Sequence, residues 1–199
     1  MNTAFTLQVT HVSCIRQQRV VFENVCFHLQ AGEILLVEGP NGSGKSSLLR
    51  LLAGLSTPTS GTITWQGVSR EELHYLGHLN GIKLGLTVKE NLRLAAYLAG
   101  QDDVSLTVLS RLQLDSYQNT PARYLSAGQK RRVALAKLFL IPKKLWILDE
   151  PFTALDVSTQ AIMLARLEEH AQQGGMSIIS SHHPITCQAP MQRVRLASC

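Results

Sequence analysis

No stretch of this 199-residue chain approaches the roughly eighteen uncharged apolar residues that a membrane-spanning helix needs. The opening MNTAFTLQVTHVSCIRQQR lacks the charged-then-apolar pattern of a secretory leader, which leads to the expectation of a chain that stays in the cytoplasm. Cysteine is scarce as well. Cys14, Cys26, Cys187 and Cys199 are scattered, with no CxxC pair, a pattern of reduced thiols rather than of disulfides or a zinc site. There is no CxxCH either, and no Met or His pair that signals axial ligation of haem. Internal repeats and low-complexity segments are missing too. What is present is a 45% hydrophobic composition, enough for one domain with a real core. The charge is mildly basic, +5 from 19 Lys and Arg against 14 Asp and Glu. That excess suits nucleic acid, an anionic membrane surface or a phosphorylated ligand, and equally a plain solvated surface.

The patterning reads as an α/β succession. Residues 5–13 and 20–29 alternate like half-buried strands, and a turn at Ala31-Gly32 leads into the apolar run 33–39, a buried strand. A helix is expected over 45–54, a turn at 57–61 and a short strand at 62–67. From about 87 to 140 the pattern is mostly helical, with Thr87 and Ser126 placed as helix caps. Strand character returns at 145–150, followed by a helix near 157–172 and a strand at 176–181. The expected architecture is an α/β nucleotide-binding core with a helical insert between roughly 80 and 140.

The segment Gly39-Pro40-Asn41-Gly42-Ser43-Gly44-Lys45-Ser46, followed by Ser47, matches GxxxxGK[ST] in full. Glycines let the backbone turn and approach where side chains would block it. Successive amide N–H groups then point inward, and the following helix adds its positive end. Lys45 is placed to reach terminal phosphate oxygens, and the Ser46 hydroxyl to take one position on Mg²⁺. With a strand before it and a helix after it, this is a nucleoside-triphosphate site. Asp149 and Glu150 stand at the C-terminal end of the later strand, where ligands gather in open α/β sheets. Asp149 is the candidate for holding Mg²⁺, and Glu150 for the general base that activates a water.

Between them lies Leu125-Ser126-Ala127-Gly128-Gln129, which resembles the LSGGQ signature of ABC-type ATPases with alanine at the third position. On the residues alone, Ser126 can cap a helix while its hydroxyl and the Gly128 amide face an anion. The resemblance implies more: a P-loop NTPase of the ABC ATPase kind, with an N-terminal antiparallel β subdomain and a helical insert. One domain would span 1–199, with the core over about 1–80 and 141–199 and the helical part over about 81–140. It implies two ATP molecules sandwiched in a head-to-tail homodimer, each cradle facing the other subunit's signature. Asp156, in Ala154-Leu155-Asp156, then resembles the loop that communicates across the dimer, and His182 the switch histidine that contacts the γ-phosphate. His183 reads as a solvated neighbour.

Two family residues are missing. The aromatic that stacks on adenine falls at Arg16, about thirty positions before Lys45. A guanidinium plane can also stack on a base, and Arg16 is expected to supply that surface. The glutamine nine positions before Thr87 falls at His78, which is expected to take over the coupling role.

The stretches 14–55, 61–67 and 75–92 further resemble the haem-exporter ATP-binding subunits of the bacterial cytochrome c maturation system. Cys14-Ile15-Arg16 and Gly77-His78 are the most particular features, whereas Leu79-Asn80 stands where that group has Gln-Pro. The chain stops about seventeen residues after His182, so no added regulatory domain is expected. The resemblance implies integral membrane partners and a peripheral position on the cytoplasmic face of the inner membrane. Haem would be handled only through those partners, and no nucleic acid is expected. Other readings are an exporter ATPase for a lipid, drug or metal, then a soluble nucleic-acid ATPase using Lys130, Arg131 and Arg132, then a small-molecule kinase.

Overall fold

The computed structural model describes residues 5–101, 105–182 and 184–197, so His183 and Cys199 lie outside the described residues. Two compact units are present, one of residues 1–78, 143–150 and 167–199, the other of 79–142 and 151–166.

In the first unit, β1 (Thr6–Arg16) and β2 (Arg19–Gln30) form a long hairpin. Its two-residue turn, Gln17-Gln18, has both residues at positive φ, 49° and 62°, the mirror-image turn whose twist suits a hairpin. β1 runs past residue 13, where the sequence pattern ends, because the alternation is broken by register shifts rather than by the end of the strand. His11 at φ 49° and Asn24 at φ 55° sit at these irregularities. β3 (Ile34–Glu38) follows, then a loop and α1 (Lys45–Leu52). β4 (Ser60–Gln66) returns to pair with β1, giving an antiparallel sheet in the order β2-β1-β4. The second sheet is parallel throughout. It takes β5 (Leu73–Leu76), β6 (Leu145–Leu148), β7 (Met176–Ser181) and β8 (Met191–Arg195) in the order β5-β6-β7-β3-β8.

Every residue of β6 and β7 is buried, as expected of central parallel strands. Leu7, Val9 and Val12 of the first sheet share one core with Leu35 and Val37, with Leu48 and Leu49 of α1, and with Ile147 and Ile178. The sheets and α1 are thus locked together around the loop that joins β3 to α1.

The second unit is helical. α2 (Val88–Leu98), α3 (Val108–Arg111) and α4 (Ala127–Leu140) bury Val88, Leu92, Leu109, Leu112, Val133 and Ala136 in a core of their own. Thr87 and Ser126 do cap α2 and α4, each in a reciprocal box with the Glu90 or Gln129 side chain. α5 (Val157–Gln172) begins in this unit, and its residues from Leu167 count with the first. None of the described helices is long and apolar enough to cross a membrane.

Candidate nucleotide site

β3 delivers the chain into the loop 39–44, and α1 carries it away. Gly39 has φ 152°, and a Cβ there would lie 2.5 Å from Ser43 Oγ and 2.6 Å from the Leu196 carbonyl oxygen. Gly44, at φ 93°, is the N-cap of α1, and its Cβ would lie 2.5 Å from Val21 Cγ1. Only glycine fits either position, which is why the loop can curl this tightly. α1 has no side-chain cap and no acidic residue in its first turn. Its leading N–H groups and the positive end of its dipole are therefore uncompensated by its own side chains.

Two buried polar groups sharpen this. Ser43 is 1% exposed, and its hydroxyl has no hydrogen-bond partner among the described residues. Lys45 is 6% exposed and donates to the carbonyls of Gly39 at 2.8 Å and Pro40 at 3.0 Å, two of the three bonds an ammonium can make. A buried cation, an orphaned hydroxyl and an uncapped helix start converge on one loop. This arrangement fits a polyphosphate chain. Pro40, Asn41 and Gly42 complete the loop, Ser46 is exposed and Ser47 half-buried at the start of α1.

The β6 end is built by its neighbours. The Asp149 backbone N–H donates to the Leu76 carbonyl at 2.7 Å, extending the β5–β6 pairing by one residue. The Asp149 carboxylate is 2% exposed and accepts from the Ser180 hydroxyl at 2.6 Å. Glu150 adopts φ 48°, a left-handed conformation rare for a residue with a side chain, and its N–H donates to Ser180 Oγ at 2.9 Å. His182, just past β7, brings Nδ1 to 3.4 Å from Glu150 Oε1. Asp149, Glu150 and His182 thus meet at the C-terminal ends of two adjacent parallel strands. Among the described residues no three His, Cys, Asp or Glu side chains gather as a metal site. The Asp149 carboxylate is the oxygen donor at this strand end that suits a hard divalent cation.

In the helical unit, Ser126 Oγ accepts from the Gln129 N–H at 3.2 Å, and Gln129 Oε1 accepts from the Ser126 N–H at 2.8 Å. A Cβ on Gly128 would lie 2.7 Å from the Ala154 carbonyl oxygen, so the start of α4 and the turn at Ala154, itself at φ 62°, touch backbone to backbone. Asp156 caps α5, accepting from the Ser158 hydroxyl at 2.7 Å and the Thr159 N–H at 2.8 Å. Those bonds hold its carboxyl down at about 2, with the Arg132 charge a smaller contribution.

Arg16 is exposed and faces Arg19 across the hairpin turn. His78 is exposed in the loop after β5. The sequence reading missed how the residues just beyond His78 are tied down. Asn80 Oδ1 accepts from Arg131 at 3.0 Å, and Lys137 Nζ donates to the Gly81 carbonyl at 2.8 Å. Burial lowers the Lys137 pKa. The Asn91 carboxamide accepts from Lys83 N–H at 2.6 Å and donates to the carbonyls of Lys83, Leu86 and Thr87. Asn91 and Arg131 are 4% and 5% exposed. For Asn91 the available signal was a polar residue on the buried stripe of the amphipathic α2. Ser180 was missed as well, because a serine inside the apolar run of β7 reads as strand filler.

The sequence model of the ABC transporter family matches residues 22–153. Over 190 residues, 90% of this chain and 89% of the other, the chain is 45% identical to a cytochrome c biogenesis ATP-binding export protein, CcmA, of Nitrosomonas europaea. A solved ATP-binding subunit of an ABC transporter matches with a TM-score of 0.77 at 29% identity, covering 88% of this chain and 79% of that one. A dimeric ATP-binding cassette in a post-hydrolysis state, bound to ADP and phosphate, shares the fold with a TM-score of 0.77 at 22% identity, covering 89% and 88%.

Proposed function

Because the chain belongs to the ABC transporter family, we propose that it is the ATP-hydrolysing subunit of a membrane transporter for cytochrome c maturation, powering haem export or release of a haem-loaded chaperone. The observation that carries this reading is 45% identity to an export protein of cytochrome c biogenesis over about nine-tenths of each chain, joined to a loop that fits phosphates.

The cradle 39–47 holds the triphosphate of ATP through backbone N–H groups and Lys45, and the buried Ser43 hydroxyl gains a phosphate acceptor. Ser46 and Asp149 would hold Mg²⁺, which would supply positive charge to offset that of the phosphates. Glu150 takes the proton from the attacking water, and the nearby His182 orients that end of the site. Arg16 stacks on adenine, and His78 couples the site to the partner. Ser126, Gly128 and Asp156 face the ATP of a second copy, so ATP closes a homodimer and hydrolysis reopens it. Ser126 can cap α4 and still donate its own proton to a phosphate, since a hydroxyl both accepts and donates. Integral membrane subunits feel that closure and hold the chain at the cytoplasmic face of the inner membrane. Haem stays with them.

Affinity purification of the tagged chain from membranes of its own host, in mild detergent, tests this by mass spectrometry. Cytochrome c maturation membrane subunits are the expected companions. Subunits of an unrelated transporter would overturn the cargo, and nucleic acid without membrane protein would overturn the transport reading.

A further inference from the structure

We infer that Ser180 is a positioning residue for ATP hydrolysis, a single hydroxyl that sets both the cation ligand and the general base. The inference rests on the ATPase reading above. The Ser180 hydroxyl has one proton, and it goes to Asp149 Oδ1 at 2.6 Å; its lone pairs accept the Glu150 N–H at 2.9 Å. One oxygen atom thus joins two consecutive residues just beyond the end of the neighbouring strand, which have different chemical duties. The register of the sheet makes this possible: Leu148 pairs with Ile179, so the next position on β7 meets the first residues beyond β6.

Each bond removes a freedom that the chemistry would otherwise have to restrain. A short bond to one carboxylate oxygen restricts rotation of Asp149 about its terminal torsion, which is soft in an isolated side chain. The bond to the Glu150 N–H anchors a backbone at φ 48°, a conformation that persists in side-chain-bearing residues only where surroundings hold it. His182 then meets the Glu150 carboxylate at 3.4 Å from the same strand end. Ser180 is fully buried, so water cannot substitute freely for its hydroxyl. Ser177, three residues earlier and equally buried, provides an internal contrast: its hydroxyl lies 3.1 Å from the Nδ1 of His170, away from the Asp-Glu pair. Two buried serines on one strand therefore have separate duties, one toward a packed histidine and one toward the catalytic carboxylates.

The test uses the full chain carrying Ser180→Ala, Ser180→Thr or Ser177→Ala. Three quantities are read: binding of a fluorescent ATP analogue with and without Mg²⁺, steady-state kcat and KM, and thermal unfolding. Ser180→Ala is expected to bind the analogue without Mg²⁺ within about twofold of the unsubstituted chain. Its Mg²⁺-dependent gain in affinity and its kcat should each fall about 10- to 100-fold, the usual loss when the group orienting a metal ligand is removed. Ser180→Thr, which keeps the hydroxyl, should recover most of both. Ser177→Ala should lower the unfolding temperature while leaving the Mg²⁺ gain and kcat unchanged. Retention of the Mg²⁺ gain and kcat in a folded Ser180→Ala chain overturns the inference. So does an equal loss in Ser177→Ala, which would make the effect one of strand stability. An unsubstituted chain with no Mg²⁺-dependent nucleotide binding would overturn the ATPase reading, and the inference with it.

Discussion

The two glycine- and serine-containing helix starts, α1 and α4, look alike in sequence and are finished differently. α1 begins on Gly44 with no side-chain cap, beside a buried Lys45 and a Ser43 hydroxyl that lacks a partner among the described residues. α4 begins on Ser126 inside a complete capping box with Gln129. The first leaves its N-terminal charge for a ligand. The second satisfies part of its own need and stands without one. Stability and binding have been divided between the two ends: α4 is held by its cap, whereas α1 depends on the tight packing of Gly39 and Gly44 to keep an electropositive loop in shape.

The largest expected effect separates hydrolysis from the binding that the α1 end provides. Glu150→Gln keeps the cradle intact and removes the proposed base, so turnover should fall about a thousandfold. Nucleotide binding and the ATP-dependent dimer should persist. Normal turnover in that variant would reassign the base. Lys45→Ala acts on binding instead: ATP affinity should fall about a hundredfold, the loss expected for a charge-assisted contact worth about 3 kcal/mol. Isothermal titration would read it directly, and a change below threefold would remove Lys45 from the phosphate site.

The α4 end should respond differently. Ser126→Ala loses a helix cap, at a cost of about 1 kcal/mol by chemical denaturation. It should depress turnover at low protein concentration while leaving the ATP affinity of the single chain within twofold. An equal loss of affinity would erase the contrast between the two helix starts. The smallest effect concerns acid. The Asp156 carboxyl is held down at about 2 by its bonds to Ser158 and Thr159, against an unfolded value near 4. A depressed folded value means stabilisation that is complete above pH ~4 and is lost as pH falls through the folded value. Asp156→Asn keeps a cap without the charge, so it should lower stability at neutral pH, flatten the stability profile between pH ~4 and ~2, and converge with the unsubstituted chain at the acid end. An unchanged acid limb would mean that Asp156 does not act through its charge.

Much of this was readable in the residues themselves. The cradle follows from glycine spacing and a lysine at a helix start. The caps at Thr87 and Ser126 follow from Glu90 and Gln129 three residues on, because the two side chains of a box must reach each other's backbone. β5 and β8 did not show. The segment MQRVR alternates charge with a single valine, and such a strand forms only because it lies at the sheet edge beside β3, where Arg193 reaches Glu38. The Asn80–Arg131 bond and the Ser180 bridge were also invisible, since both join residues far apart in the chain whose types suggest nothing alone.

The head-to-tail dimer is tested most directly by mixing two disabled chains. In a Glu150→Gln background, one chain carries Lys45→Ala and the other Ser126→Glu, and sedimentation is followed with MgATP. Neither alone should dimerise, because each self-pairing leaves both composite sites damaged. Mixed together they should form a dimer holding one ATP, since one intact cradle then faces one intact signature. A mixture that stays monomeric, with the Glu150→Gln chain itself dimeric, would contradict the assignment of the two helix starts to different subunits' ATP.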